Sequence, residues 1–332
     1  MNRILIIKLG ALGDVVHAIP VAAALRRAFP SARIDWLIGP KHREILDLVS
    51  VIDRRLVMND ARMLSAIREL RGSQYDVAID LQGLIKSALL ARASGAARVI
   101  GFTSRYARER LASWFYTEAY DPGGGGMYHI DERHVVYTNL GILETLGLKP
   151  GQPEFPIDQV ESMVASGVAT RTGGRYAILN PGAAWPNKRW MPARFAAVAK
   201  ELRSRHTLVS VVTWGAGEES IAQGIVDQSD GAAILSPRTS IADLVALARG
   251  ASLYLSGDTG PAHIAAAVGT PLVGIFGPTR PSRNGPWSPA DVSVSRSDVC
   301  QCHHLRHCRL QTMCLEDIPV EEVVAAVNRR LA

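Results

Sequence analysis

The chain has 332 residues and a mass of 35.9 kDa, about twice the usual size of one domain, so two domains are expected. With 47% hydrophobic and 20% charged residues it has the composition of a globular protein with a sizeable core, which excludes a disordered, collagen-like or coiled-coil chain. The net charge of +6 and pI near 9.3 favour an anionic partner: nucleic acid, phospholipid or a phosphorylated small molecule.

The chain opens on Arg3–Leu9, a short β-branched run. Gly10, Gly13 and a stretch of helical composition from Val15 to Phe29 follow at once, which reads as strand, tight turn, helix. Ile4–Ile7 is too short for a signal-peptide core and is followed by Lys8 rather than a small-residue cleavage site. The apolar stretch Ile264–Phe276 is interrupted by Gly and Pro and falls short of the roughly 18 residues a membrane span needs. The expected compartment is therefore the cytoplasm.

Arg33–Ile38, Arg54–Met58, Tyr75–Asp80 and Arg98–Gly101 are the next expected strands, separated by segments of helical length. Such alternation predicts a parallel sheet covered on both faces. The Asp121–Gly126 segment, with four consecutive glycines, is expected to be a flexible loop, and a helix is expected over Asp131–Leu146. A linker is expected between about 148 and 172, dividing the chain into domains 1–160 and 161–332. Tyr176–Asn180, Thr207–Thr213, Ala232–Leu235, Leu253–Ser256 and Pro271–Phe276 are the strands expected of the second domain, and an amphipathic helix runs from Pro319 through Val323, Val324 and Val327. Two doubly wound α/β domains in tandem predict a ligand cleft between them, at the carboxyl ends of both sheets.

Three loops carry chemistry. Gly10-Ala11-Leu12-Gly13-Asp14 is not the G-x-G-x-x-G of dinucleotide binders, which argues against a nicotinamide-dependent oxidoreductase. Asp14 either caps the helix that follows or projects its carboxylate toward a ligand. Asn180–Trp190 follows the first strand of the second domain and offers Lys188, a compact cation suited to phosphate. Ser256-Gly257-Asp258-Thr259-Gly260-Pro261-Ala262-His263 ends a strand and opens a helix, so Thr259 and Gly260 can present backbone N–H groups to an anion. His263, one turn on, is either a core histidine or a binding group.

These loops, with Asp80-Leu81-Gln82-Gly83-Leu84-Ile85-Lys86-Ser87, His134 placed in the helix before the linker, Trp214-Gly215-Ala216 and Gly274-Ile275-Phe276-Gly277-Pro278-Thr279, resemble the heptosyltransferases of lipopolysaccharide synthesis over nearly the full chain. The resemblance implies the GT-B architecture, two Rossmann-like domains facing across a cleft. It also implies an ADP-L-glycero-D-manno-heptose donor held by the second domain and a Kdo or inner-core acceptor of lipid A held by the first. The first fifty residues look most like the members that add the first heptose to Kdo. Carried over position by position, Asp14 matches the general base and Lys188 the diphosphate-binding lysine. Asp258, Thr259, Gly260 and His263 match the donor loop, and Thr239 falls where the family lines the adenine pocket. Gly13, Lys86 and Arg105 are expected on the acceptor side. Where some members carry hydroxyl residues a few positions before the lysine, this chain has Ala183 and Ala184, which leaves backbone N–H groups to meet phosphate there.

The implied reaction is metal-independent and inverting, with no cofactor: no D-x-D motif stands in a plausible loop, so Lys188 and helix N-termini take the place of Mg²⁺. Another nucleotide-sugar GT-B glycosyltransferase of cell-envelope polysaccharide is the first alternative, and a basic nucleotide- or nucleic-acid-binding Rossmann protein the second. The window Arg54–Arg110 holds eleven Lys/Arg against five acids, an excess equal to the net charge of the whole chain. It is either a set of solvated helix faces or the side that meets the acceptor's acid groups and an anionic membrane surface, as a peripheral protein of the cytoplasmic face. No nucleic-acid partner is expected, since only Tyr75, Phe102 and Tyr106 interleave these charges and Asp14 and Asp258 have no use on a phosphate backbone. Cys300, Cys302, Cys308 and Cys314, with His303, His304 and His307 among them, fit either structural zinc or buried thiols or a disulfide.

Overall fold

β-Branched and aliphatic runs alternate with segments of helical period. In the computed structural model, which describes all residues except 60–62, 128, 130–132, 150 and 304, they form two α/β units, Met1–Asp158 and Gln159–Ala332. In the first unit β1 (Arg3–Ile7), β2 (Arg33–Ile38), β3 (Arg54–Val57), β4 (Val77–Asp80), β5 (Arg98–Phe102) and β6 (Glu118–Tyr120) pair in parallel in the order β3-β2-β1-β4-β5-β6. Its helices are α1 (Leu12–Val16), α2 (Ile19–Ala28), α3 (Arg43–Asp47), α4 (Met63–Gly72), α5 (Ile85–Ala93) and α6 (Val135–Gly141), with 3₁₀ turns at Arg110–Phe115 and Ile142–Leu146 among others.

The second unit repeats the plan. β7 (Tyr176–Asn180), β8 (Val209–Val212), β9 (Ala233–Leu235), β10 (Leu253–Gly257), β11 (Leu272–Phe276) and β12 (Val292–Ser295) form a parallel sheet in the order β9-β8-β7-β10-β11-β12. The accompanying helices are α7 (Met163–Thr172), α8 (Pro192–His206), α9 (Glu219–Asp227), α10 (Ile241–Gly250), α11 (Gly260–Ala267), α12 (Pro281–Asn284) and α13 (Val320–Leu331). Within each sheet the chain leaves the middle in opposite directions, so a crevice opens at the carboxyl ends of β1 and β4 in the first unit and of β7 and β10 in the second.

Because these strands are covered on both sides, their side chains are apolar at nearly every position and divide between two cores. Ala177 and Leu179 pack with Phe195 and Leu202 of α8 and Val323 and Val327 of α13, whereas Tyr176 and Ile178 pack with Leu247 of α10 and Ala265 of α11. In the first unit Leu5, Ile7, Ala78 and Val99 bury against Leu70 of α4 and Leu90 and Ala91 of α5.

Several expectations need correction. The helix expected over Val15–Phe29 is two helices that meet at His17 and Ala18, because Pro20 has no N–H to continue the first one and sits well in the opening turn of the second. The expected linker contains α7, which Ser162 caps by accepting from Ala165 N at 3.0 Å and which Gly173 closes in the left-handed region at φ 65°. Residues up to Asp158 belong to the first unit: Ile157 bridges to Val49, and Asp158 N donates to Leu48 O at 2.8 Å. The helix expected over Asp131–Leu146 is α6 followed by a 3₁₀ turn, its first two positions lying outside the described residues. His134 is not inside it but is its N-cap, Nδ1 accepting from Val136 N at 3.2 Å. The edge strands β6 and β12 carry no strong periodic signal. Only pairing to β5 and β11, and for β6 a double contact between Arg98 and Glu118 at 2.7 Å, makes them strands. Among the described residues no helix is long and apolar enough to cross a membrane.

Candidate active site

Each crevice is stitched by contacts between the loops on its two sides. In the first unit, the loop after β4 holds the turn after β1. Gln82 Oε1 accepts from Leu9 N at 3.0 Å and Gly10 N at 3.3 Å, and Lys8 Nζ donates to Leu81 O at 2.6 Å. Gly10 has φ +153° and a Cβ there would meet the His42 ring at 2.6 Å, so this turn needs glycine. Buried Asp80 shapes the opposing loop by accepting from Gln82 N at 2.8 Å, Ser87 Oγ at 2.8 Å and Tyr116 Oη at 2.8 Å. Burial nevertheless pushes its carboxyl above the usual range.

Asp14 stands on this turn. It is not the cap of α1, a position taken by Ala11; it is the third residue of that helix, in the first turn, and half-buried. Its carboxylate therefore lies in the favourable field of a helix N-terminus at the carboxyl end of a central strand, beside buried Gly13. Lys86, half-buried near the start of α5, and Arg105, exposed after β5, share that edge of the sheet. Arg105 is engaged by Asp121 at 2.7 Å.

In the second unit Lys188, Asp258 and His263 form one cluster at the crevice. Lys188 Nζ donates to Asp258 Oδ2 at 2.5 Å and lies 4.6 Å from the centre of the Trp185 ring. Asp258 Oδ2 also accepts from Thr279 Oγ1 at 2.7 Å, and Oδ1 lies 3.0 Å from His263 Nε2, which carries the proton of that contact because an ionised carboxylate only accepts. Burial alone would raise the Asp258 carboxyl, but the Lys188 ammonium and the His263 ring hold it well below the usual carboxylate range. Thr259 caps α11, its Oγ1 3.1 Å from Ser256 Oγ and accepting from Asn180 Nδ2 at 3.3 Å. Pro261 has no N–H, and Ala262 N and His263 N donate to Thr259 at 3.4 and 3.2 Å, which leaves the N–H of Gly260 at the opening of α11. Thr239 lies on the loop between β9 and α10, at the same edge of the sheet but toward its far side.

The close fit of the Lys188 loop on β10 depends on Gly257, where a Cβ would stand 2.7 Å from the Lys188 carbonyl oxygen. Since that neighbour is backbone and cannot swing away, Gly257→Ala is expected to cost about 1–3 kcal/mol. The same change should displace the Lys188 loop, and urea denaturation measures the loss of stability.

A second expected result concerns pH. A carboxylate whose pKa is lowered by folding contributes stability that is present above its unfolded pKa of about 4 and lost as pH falls through the lower folded value. The difference in melting temperature between wild type and Asp258→Asn should hence be flat between about pH 5 and 8 and shrink only below about pH 4. Melting curves across this range test the assignment.

Residues 63–313 match the family described as glycosyltransferase family 9 (heptosyltransferase). The chain belongs to glycosyltransferase family 9. It is accordingly an enzyme that transfers heptose. It is 28% identical to lipopolysaccharide heptosyltransferase 1 of Pseudomonas aeruginosa, over 90% of this chain and 85% of the relative. It is also 28% identical to lipopolysaccharide heptosyltransferase 3 of Escherichia coli, over 96% of each chain. Its fold is similar to that of Escherichia coli heptosyltransferase WaaC with ADP-2-deoxy-2-fluoro heptose, with a TM-score of 0.74 at 23% identity over 98% of this chain and 99% of the other. This is the α/β, GT-B-like fold.

Two supporting residues carry no mark of their role in the sequence: Gln82 holds the Asp14 turn and Thr279 fixes Asp258. The Ala183-Ala184 pair in place of hydroxyls leaves a backbone contact: Ala183 O accepts from Arg189 Nε at 2.9 Å, and Glu218 ties Arg189 to Gly215 N. The basic window Arg54–Arg110 divides into two kinds. Arg54 pairs with Glu69, Arg55 donates to three carbonyls, Arg98 pairs with Glu118 and Arg105 with Asp121, whereas Arg68, Arg71, Arg92, Arg108 and Arg110 are exposed. Arg62 lies outside the described residues.

The four cysteines are free thiols, Cys300 and Cys302 buried, with Cys302 Sγ 3.2 Å from Cys308 Sγ. Among the described residues, which omit His304, no three His, Cys, Asp or Glu side chains gather so as to hold a metal ion. Burial pushes the Cys314 thiol up to about 12. This segment braces the loops at the second crevice: Asn187 Nδ2 donates to Leu305 O at 2.8 Å, and His303 Nδ1 lies 3.3 Å from Pro278 O.

Proposed function

We propose that this chain transfers heptose from ADP-L-glycero-D-manno-heptose to the Kdo region of lipid A, with inversion at the anomeric carbon. The observation that carries the reading is the Lys188–Asp258–His263 cluster beside the start of α11, at the topological switch point of the second unit of a family 9 chain. A buried carboxylate holds the ammonium in one place by one of its three donors, and the other two remain for a diphosphate. The similar fold of WaaC is seen together with ADP-2-deoxy-2-fluoro heptose, which supports the same class of donor here, with the adenine toward Thr239.

In the reaction so assigned, the acceptor hydroxyl gives its proton to Asp14 as its oxygen bonds to the anomeric carbon. The bond from that carbon to the phosphate oxygen breaks, and ADP leaves with the electron pair, its charge met by Lys188 and the N–H of Gly260. Lys86 and Arg105 reach the acid groups of the acceptor. That acceptor is anchored in lipid, so the enzyme works against an anionic membrane surface.

The test is incubation of the purified protein with ADP-heptose and Kdo-lipid A acceptors of graded length, read by mass spectrometry. Addition of one heptose with release of ADP is expected for the acceptor that ends in Kdo. Absence of transfer to every acceptor would overturn the reading.

A further inference from the structure

We propose that the outer face of α4, α5 and the 3₁₀ turn Arg110–Phe115 is a membrane-docking surface that inserts Trp114, Leu111, Leu89 and Leu64 into an anionic bilayer interface. The inference rests on the preceding reading only for the choice of lipid as partner. These three elements form one layer on the first sheet. Leu70 of α4 and Leu90 and Ala91 of α5 share one core, and Ala88 of α5 packs with Ala112 of the turn. Once those inward faces are buried, the sequence would be expected to place polar residues outside.

It does not. Trp114 is 79% exposed, Leu64 74%, Leu111 48% and Leu89 47%. Helical spacing puts Leu64 on one side of α4 with Arg68 and Arg71, and Leu89 on one side of α5 with Lys86 and Arg92. In the 3₁₀ turn, positions three apart eclipse, so Leu111 and Trp114 point the same way.

Charge selects the partner. Arg68 and Arg71 of α4, Arg92 of α5, Arg110 of the 3₁₀ turn and Arg108 just before it stand on the same elements as these apolar side chains and are exposed. Of the acids in the same segments, Glu69 is taken by Arg54, and Glu109 accepts from Ile85 N at 2.7 Å. Large apolar side chains accompanied by arginine, with an amphipathic tryptophan foremost, suit the interface of a bilayer rich in acidic headgroups. Arg71 Nε donates to Ala93 O at 3.2 Å and ties α4 to α5, so the surface exists before lipid is met. Because α5 begins at the carboxyl edge of the sheet, where Asp14 stands, docking here brings that edge close to a lipid-anchored acceptor.

The experiment measures co-sedimentation of the full chain with phosphatidylglycerol/phosphatidylethanolamine vesicles and with phosphatidylcholine vesicles. Wild type is expected to bind the first and not the second. Trp114→Ala/Leu111→Ala should lower partitioning about tenfold or more, and Arg68→Glu/Arg92→Glu/Arg110→Glu should remove the preference for acidic lipid, while the control Arg171→Glu changes nothing. Turnover of the Trp114/Leu111 variant on a water-soluble Kdo acceptor stays at the wild-type level, which shows that it is folded. If both multiple variants bind acidic vesicles like wild type, or wild type binds neither vesicle, the proposal is overturned. It is equally overturned if sedimentation shows a dimer that the Trp114/Leu111 variant dissolves, since a second copy then covers the face. Failure of wild type to transfer heptose at all would sink the functional reading and leave the vesicle result standing.

Discussion

Asp14→Asn is expected to lower kcat by about 10²–10⁴, the usual contribution of a positioned general base, while ADP affinity changes by less than about threefold. The amide keeps the size of the carboxylate and one acceptor oxygen, but its NH₂ group only donates and it cannot take a proton. Asp14 is half-buried in the first turn of α1, and Ala11, not Asp14, is the cap of that helix, so the substitution costs only the attraction of the charge to the helix N-terminus, about 0.3–1 kcal/mol, and keeps the fold. The turn beneath it is held independently by Gln82. Steady-state kinetics with calorimetric ADP titration decide the matter, and a variant that turns over like wild type would remove Asp14 from the role of base.

Lys188→Ala should weaken ADP binding by about 10–100-fold, the value of a charge-assisted contact to phosphate, and lower turnover as well. It should also destabilise the second unit by about 3–5 kcal/mol, because Asp258, only 4% exposed at its side chain, is left as a buried charge without its cation. The double variant Lys188→Ala/Asp258→Asn separates the two effects. Stability should return with the charge removed, whereas ADP affinity should not. If the double variant binds ADP like wild type, the ammonium is structural only. Wild-type activity is expected to survive EDTA, and a loss restored by Mg²⁺ would give the leaving diphosphate to a metal rather than to Lys188.

Much of the site was legible because the loops that follow strands in a parallel sheet are marked locally. Glycine must stand where a turn requires positive φ or another backbone comes close, and Gly10 and Gly257 stand at such points. The match to family 9 over residues 63–313 bears out the resemblance to the heptosyltransferases, and the chemistry of those loops follows from it as the proposal above. Gln82 and Thr279 were not legible in the same way: each acts on a residue far along the chain, and nothing in its own neighbourhood announces the partner.

Local sequence encodes the alternation of continuously apolar strands with helices, the glycine-marked loops and the amphipathic final helix, because each is a pattern that a residue shares with its near neighbours. Tertiary structure alone decided which loops meet. Lys188 and Asp258 are 70 residues apart and become partners because β7 and β10, distant in sequence, lie side by side in the sheet. Tertiary structure also turned Glu118–Tyr120 and Val292–Ser295 into strands by pairing, and it divided one basic window into arginines held in ion pairs and exposed ones. The physical reason is common to all three. Hydrogen bonds between strands and ion pairs across loops join residues without regard to their separation along the chain, so no local pattern encodes them, and they exist only once the sheet has brought its strands together.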